Sequence, residues 1–188
     1  MSDIKFLPYT WKEFHRTCFE FSQQILQSGK KFDRIASISR GGMVVSRLLS
    51  DYLQLPISNF TIVTYASIAE AGEPKIVEEL GVAIDNERIL LVDEIVDSGI
   101  TLEVAIKYLS SLNPHSIMTA VPFFKPNASF VPDFWQVKTD KWVVFPYEVR
   151  ETIIDLNKVL QKKGKSVGEI KEQLLQFGFD LDQIEMYL

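Results

Sequence analysis

The stretch Ile89-Leu90-Leu91-Val92-Asp93-Glu94-Ile95-Val96-Asp97-Ser98-Gly99-Ile100-Thr101-Leu102 decides how this chain is read. An apolar strand stops abruptly at two adjacent carboxylates, Asp93 and Glu94. A third, Asp97, follows, and Ser98-Gly99-Ile100-Thr101 opens a helix. N–H groups at a helix N-terminus favour an anion, and the small residues Ser98 and Gly99 let it approach the backbone closely. Asp93 and Glu94 can accept hydrogen bonds from paired hydroxyls or stand beside a metal ion. The run thus offers one grip for a sugar diol and, a few residues on, another for a phosphate. A buried strand entering a capped helix accounts for one such acid, not for three.

Size and composition bound the rest. With 188 residues, the chain suits one α/β domain and a small appendage. Its 46% hydrophobic content supports a real core, and 24% charged residues is ordinary for a soluble protein. Cys18 is the single cysteine, which excludes an internal disulfide framework and a cysteine-built metal cluster. No apolar run has the length of a membrane span and no signal-peptide layout opens the chain, so the expected location is cytoplasmic, with no membrane partner. A net charge of −5 without a dense Lys/Arg block argues against nucleic acid as a partner. It leaves room for a polyanionic small substrate, because a few local cations dominate one pocket.

Working outward from the acidic run, strands and helices alternate. Helical spacing of Phe14, Cys18, Phe21, Ile25 and Leu26 predicts a helix over 11–28 that ends at Gly29. Strands follow at 32–39, 57–65, 88–92 and 116–121, with helices at 43–53 and 101–111. The predicted fold class is α/β, a doubly wound, mostly parallel sheet flanked by helices. In such sheets ligands bind outside the carboxyl ends of the strands. Ser39-Arg40-Gly41-Gly42 and Asp93-Glu94 both fall at such ends. The polar stretch 66–85, rich in Glu and broken by Gly72 and Pro74, reads as a flexible lid with short strands at its borders.

After Arg150 the pattern becomes purely helical. Ser166 with Glu169 forms a capping-box start, Gly178 a stop, and Asp180 begins a last short helix. The expected organisation is a main domain over 1–149 and a helical C-terminal appendage over 150–188. Gly164-Lys165-Ser166 is no phosphate loop, since Val159 stands where the first glycine must be and no strand precedes it.

Ile38-Ser39-Arg40-Gly41-Gly42 is a second constellation. It follows a strand and opens a helix, its glycines expose backbone N–H groups to an anion, and Arg40 adds a forked cation.

The acidic run resembles the phosphoribosyl-pyrophosphate (PRPP) signature of the type I phosphoribosyltransferases: apolar strand, two acids, two residues, Asp, Ser or Thr, Gly, any residue, Thr. The loop at 38–42 is similar to the pyrophosphate loop of the purine members, in which the bond here between Ser39 and Arg40 is often cis. Val121-Pro122-Phe123-Phe124-Lys125-Pro126 and Lys141-Trp142-Val143-Val144-Phe145-Pro146-Tyr147-Glu148 resemble two segments of the 6-oxopurine enzymes, particularly the xanthine–guanine branch. Glu148 stands where an Asp is more usual, and Asp93-Glu94 where that branch has Asp-Asp.

The resemblance implies a function: transfer of phosphoribosyl from PRPP to N9 of guanine, xanthine or hypoxanthine in purine salvage. The products are a nucleoside monophosphate and pyrophosphate. It implies that Arg40, Gly41, Asp93, Glu94, Asp97, Ser98, Gly99, Ile100 and Thr101 bind PRPP, and that Asp97 is the acid or base at purine N7. It implies Mg²⁺ held near Glu94 or Asp93, Lys125 at the base O6, Trp142 as stacking platform and Val143 as backbone reader of the base edge. A homodimer or homotetramer is the implied assembly. Because the reaction passes through an oxocarbenium-like carbon, neither Cys18 nor a serine is needed as nucleophile. Two other readings stay open from the residues: a non-catalytic or regulatory PRPP- or nucleotide-binding protein of this fold, and transfer to another base.

Overall fold

The computed structural model describes residues 5–64 and 73–188. The chain divides into two compact units, Thr17–Thr139 and Met1–Arg16 together with Asp140–Leu188. That division differs from the expected boundary after residue 149, because Val144 shares an interior with the tail helices.

The larger unit is built on a five-stranded sheet. Its strands are β2 (Arg34–Ser39), β3 (Ile57–Thr64), β4 (Pro74–Glu78), β5 (Arg88–Val92) and β7 (Ser116–Ala120), in spatial order β4-β3-β2-β5-β7. All neighbours run parallel except the edge strand β4, which is antiparallel to β3. Helix α2 (Gly42–Leu53) joins β2 to β3, and α3 (Ile100–Ser110) joins β5 to β7. β2 therefore leaves toward one edge of the sheet and β5 toward the other. Loops diverge at the carboxyl ends of these adjacent strands, and a crevice opens at such a switch point.

Alternation along the strands divides the core. Ala36, Ile38, Phe60, Ile62, Ile89 and Leu91 share one cluster with Leu102, Ala105 and Leu109 of α3. The opposite set, Ile35, Ser37, Leu90 and Val92, is equally buried, as are Val45, Ser46 and Leu49 of α2. The expected doubly wound, mostly parallel α/β sheet is what forms. Leu80 and Ile84 belong to the α3-side cluster, and Leu80 N–H donates to the Tyr108 hydroxyl at 2.7 Å. The expected lid over 66–85 is thus narrower: its later part is built into the core, and 66–72 lies outside the described residues.

A second, three-stranded parallel sheet joins β6 (Ile95–Val96), β8 (Phe123–Phe124) and β9 (Val137–Lys138). Phe130 and Trp135 pack at the core edge, with Trp135 tilted on Phe124 at 5.9 Å.

The smaller unit pairs β1 (Phe6–Pro8) in parallel with β10 (Trp142–Val144). Helices α4 (Val149–Lys162), α5 (Val167–Gln176) and α6 (Leu181–Tyr187) pack around a core of Val144, Ile153, Leu156, Leu160, Ile170, Leu174, Phe179 and Ile184. Val144 explains why the compact unit reaches back to residue 140: the strand and the tail helices share one interior. The Ser166 capping box forms as expected, with Ser166 N–H donating to Glu169 Oε2 at 2.8 Å. Thr10 and Glu13 make a further box at the start of α1 (Trp11–Gln27), with Thr10 N–H donating to Glu13 Oε2 at 2.9 Å. Among the described residues no helix is long and apolar enough to cross a membrane.

The amino ends of β2 and β5 are clamped by charge. Asp33 N–H donates to the Arg88 carbonyl and Arg88 N–H to Asp33 Oδ2, both at 2.8 Å, while Arg88 Nη2 lies 2.6 Å from Asp33 Oδ1. Arg34 adds a forked pair to Glu87 at 2.7 and 2.9 Å. Hydrogen bonds from the Arg88 side chain and backbone hold the Asp33 carboxyl well below the usual carboxylate range. A lowered folded-state pKa contributes stability above the unfolded value of about 4, lost as pH falls further. Asp33→Asn should therefore melt below the wild type at pH 7, and the gap in Tm should shrink at pH 3. An equal gap at both pH values would show that the pair's charge contributes nothing.

Candidate functional site

The crevice at the switch point is assembled from two loops and sealed by glycine. Gly42 packs directly on the end of β5: a Cβ there would stand 2.6 Å from the Val92 carbonyl oxygen and 3.0 Å from Asp93 Cα. At Gly41 a Cβ would meet the Glu94 side chain, 2.7 Å from its Cδ. The anion loop and the acidic loop therefore touch, and the Glu94 carboxylate lies over the backbone of Gly41. The Ser39–Arg40 bond is cis, as the resemblance implies, and Arg40 is exposed at the rim.

Asp93 follows directly on the buried end of β5 and stays partly accessible. Burial pushes its carboxyl up to about 7, against the pull of Glu94 N–H, which donates to Oδ1 at 2.9 Å. Asp97 and Ser98 are exposed and Thr101 half-buried, so the turn that starts α3 opens to solvent. Gly99 provides it with φ +101°, a left-handed value that disfavours any side chain. Gly99 is backed by the chain beyond β8: a Cβ would lie 2.9 Å from Phe130 N.

Main-chain hydrogen bonds tie this loop to the segment 123–129. Phe123 N–H donates to the Glu94 carbonyl at 3.3 Å, Lys125 N–H to Val96 at 2.9 Å and Ser129 N–H to Ser98 at 2.8 Å. Lys125 is thereby held beside the acidic loop through its backbone, with its side chain half-buried. The larger unit carries Arg40, Gly41, Asp93, Glu94, Asp97, Ser98, Gly99, Ile100, Thr101 and Lys125, with Gly41 against Glu94 and the backbone of Lys125 tied to Val96. Trp142 and Val143 belong to the smaller unit. Trp142 is 42% exposed and Val143 4%. Trp142 N–H donates to the Lys5 carbonyl at 2.8 Å and Tyr9 N–H to the Val144 carbonyl at 3.0 Å. In a strand, alternate residues bond to opposite sides, so the Val143 N–H and C=O turn away from β1.

Sequence reasoning missed the supports of this site. Gly42 reads in the sequence only as part of an anion loop and Ser129 and Phe130 carry no chemical signal: a glycine or a serine in a loop does not disclose which backbone it packs on. For metals, no group of three or more His, Cys, Asp or Glu converges among the described residues. The donors offered are the carboxylates of Asp93 and Glu94. That set suits a hard cation which completes its shell with substrate and water oxygens. Cys18 is buried, which pushes its thiol up to about 12, away from nucleophilic use.

Comparison with known proteins agrees with this architecture. The profile of the phosphoribosyl transferase domain matches residues 9–152, and the chain belongs to that family. It is 28% identical over 151 residues to a xanthine-guanine phosphoribosyltransferase of Gluconobacter oxydans, a match covering 77% of this chain and 86% of that one. Among solved structures, a purine phosphoribosyltransferase of Pyrococcus horikoshii superposes with a TM-score of 0.68 at 29% identity, covering 76% of this chain and 93% of that one. A Neisseria gonorrhoeae protein with bound ppGpp gives a TM-score of 0.71 at 26% identity, covering 88% and 100%.

The glycine contacts carry a prediction. Gly42→Ala must move backbone at the end of β5, and should lose about 1–3 kcal/mol in denaturant unfolding. Gly41→Ala meets only a flexible carboxylate and should lose much less. Equal losses would mean that the two loops do not seat as described.

Proposed function

We propose that the chain transfers the phosphoribosyl group of PRPP to N9 of a 6-oxopurine (guanine, xanthine or hypoxanthine), releasing pyrophosphate, in purine salvage. The observation that carries this reading is the contact of the Gly41-Gly42 loop with Asp93 and Glu94 at the ends of adjacent strands, with the turn 98–101 opening α3 a few residues on. A cation with free loop amides, a pair of acids and a helix N-terminus match, in order, a pyrophosphate, a ribose diol and a 5′-phosphate. Relatives named as purine and xanthine-guanine phosphoribosyltransferases support the same assignment.

In this mechanism Asp93 and Glu94 accept hydrogen bonds from the ribose 2′- and 3′-hydroxyls and place negative potential beneath the sugar as it becomes cationic. The amides of 98–101, with the Ser98 and Thr101 hydroxyls, fix the 5′-phosphate and so the position of the anomeric carbon. Arg40 and the Gly41 N–H receive the departing pyrophosphate. Asp97 exchanges a proton with purine N7. Lys125 donates to the base O6, Trp142 stacks on the ring and the Val143 backbone reads its edge. Asp93 and Glu94 would hold Mg²⁺, which neutralises charge on the leaving pyrophosphate when bound. A homodimer or homotetramer is the assembly proposed.

The Neisseria protein with bound ppGpp favours a second, regulatory reading, in which a guanine nucleotide bearing a pyrophosphate occupies the same grips. The two readings separate in one experiment. Pyrophosphate release from PRPP and Mg²⁺ is followed with each 6-oxopurine, with and without ppGpp. Release with at least one base supports the enzyme. No release with any base, together with ppGpp binding, supports the regulator.

Two variants test the residue roles. Asp97→Asn should cut turnover about 10²- to 10⁴-fold with PRPP affinity nearly unchanged. Unchanged turnover removes Asp97 from the chemistry. Trp142→Ala should weaken the base by the ~1–3 kcal/mol typical of aromatic stacking and leave the KM for PRPP in place. Equal losses for both substrates would make Trp142 a structural residue only.

A further inference from the structure

We propose that the C-terminal helices position the base-reading strand: the Phe177-Gly178-Phe179 turn, acting through Phe6, fixes the backbone that presents Trp142. The inference rests on the reading of Trp142 as the stacking residue, and adds a part of the chain beyond residue 152, where the family match ends.

β10 is three residues long and its ladder partner β1 is also three. So short a strand pair does not hold its own geometry in water, and the restraint must come from packing. Trp142 keeps 42% of its surface exposed, so its side chain is not a buried anchor for the strand. The tail supplies the restraint at two places. Val144 lies in one core with residues of α4, α5 and α6. Phe6, directly across from Trp142 in the register, meets the ring of Phe177 at 5.3 Å between centroids.

The turn that delivers Phe177 is itself well defined. Gly178 adopts φ +90°, and Phe179 N–H donates back to the Leu174 carbonyl at 3.3 Å, closing α5. A cavity of about 130 Å³ borders Val144, Phe145 and Pro146 on one side and the 177–179 turn on the other. Val144, at the far end of β10, is held in the core of the tail helices, and the Phe6–Phe177 contact carries the restraint at the Trp142 end. Phe177 is a positioning residue: it acts through Phe6 and the β1–β10 ladder, and needs no contact with the base.

The test compares wild type, Phe177→Ala and Phe177→Tyr by steady-state kinetics and by hydrogen exchange. Phe177→Ala should raise the KM for the base at least about fivefold while the KM for PRPP stays within about twofold. It should also speed amide exchange over 142–145 and leave 89–99 unchanged. Phe177→Tyr, which keeps the ring, should restore both readouts. If the alanine variant does not fold, Phe177→Leu is measured in its place with the same expectations in smaller size. Base and PRPP constants that move together, or a KM for the base that stays fixed while exchange rises, overturn the proposal. Should the wild type transfer to no base, the functional reading fails by itself. The exchange arm then still decides the mechanical coupling: faster exchange at 142–145 supports it and unchanged exchange overturns it.

Discussion

The close approach of Gly42 to the Val92 carbonyl is the constraint on which the crevice depends. β2 and β5 are neighbours in the sheet, yet each could send its loop away from the other. A residue without a side chain at 42 lets the start of α2 settle on the last residues of β5. That contact sets the distance between an arginine-bearing anion loop and a pair of carboxylates. The two loops are thereby held side by side by backbone packing, whose geometry rotamer changes do not disturb. The clamp of Asp33 and Arg34 with Arg88 and Glu87 secures the other end of the same two strands.

Burial at Asp93 complements this arrangement. A carboxyl that burial pushes up to about 7 is one whose charged form gains from any positive charge brought to it. The sugar of the proposed reaction develops that charge only in passing. A site whose potential is matched to a transient cation stabilises the crossing more than the bound reactant, which is the condition for a rate gain.

Much of this was legible because its signals are local. Apolar runs bounded by Gly, Pro and acids located β2, β5 and β7 to within a residue or two, and the Ser166–Glu169 spacing located α5. The acids and the small turn after them marked the family in their order alone. The rest was not legible, for the opposite reason. β1 and β10 are three residues each, too short for a period to register, and their pairing joins residues from opposite ends of the chain. Leu80 and Ile84 lie in a polar stretch that composition assigns to a lid, but two apolar anchors suffice to bind that stretch to the core. Ser129 and Phe130 support Gly99 from a segment whose composition suggests only a loop.

The rungs between the acidic loop and the segment carrying Lys125 run from amide to carbonyl, and none depends on the side chain at 125. Inheritance can therefore treat the two halves of the pocket differently. Under the proposed function, a substitution at 125 would change the contact with the base and keep the backbone rungs that hold the acidic loop. The proposed acceptor preference would then drift separately from the proposed hold on the donor.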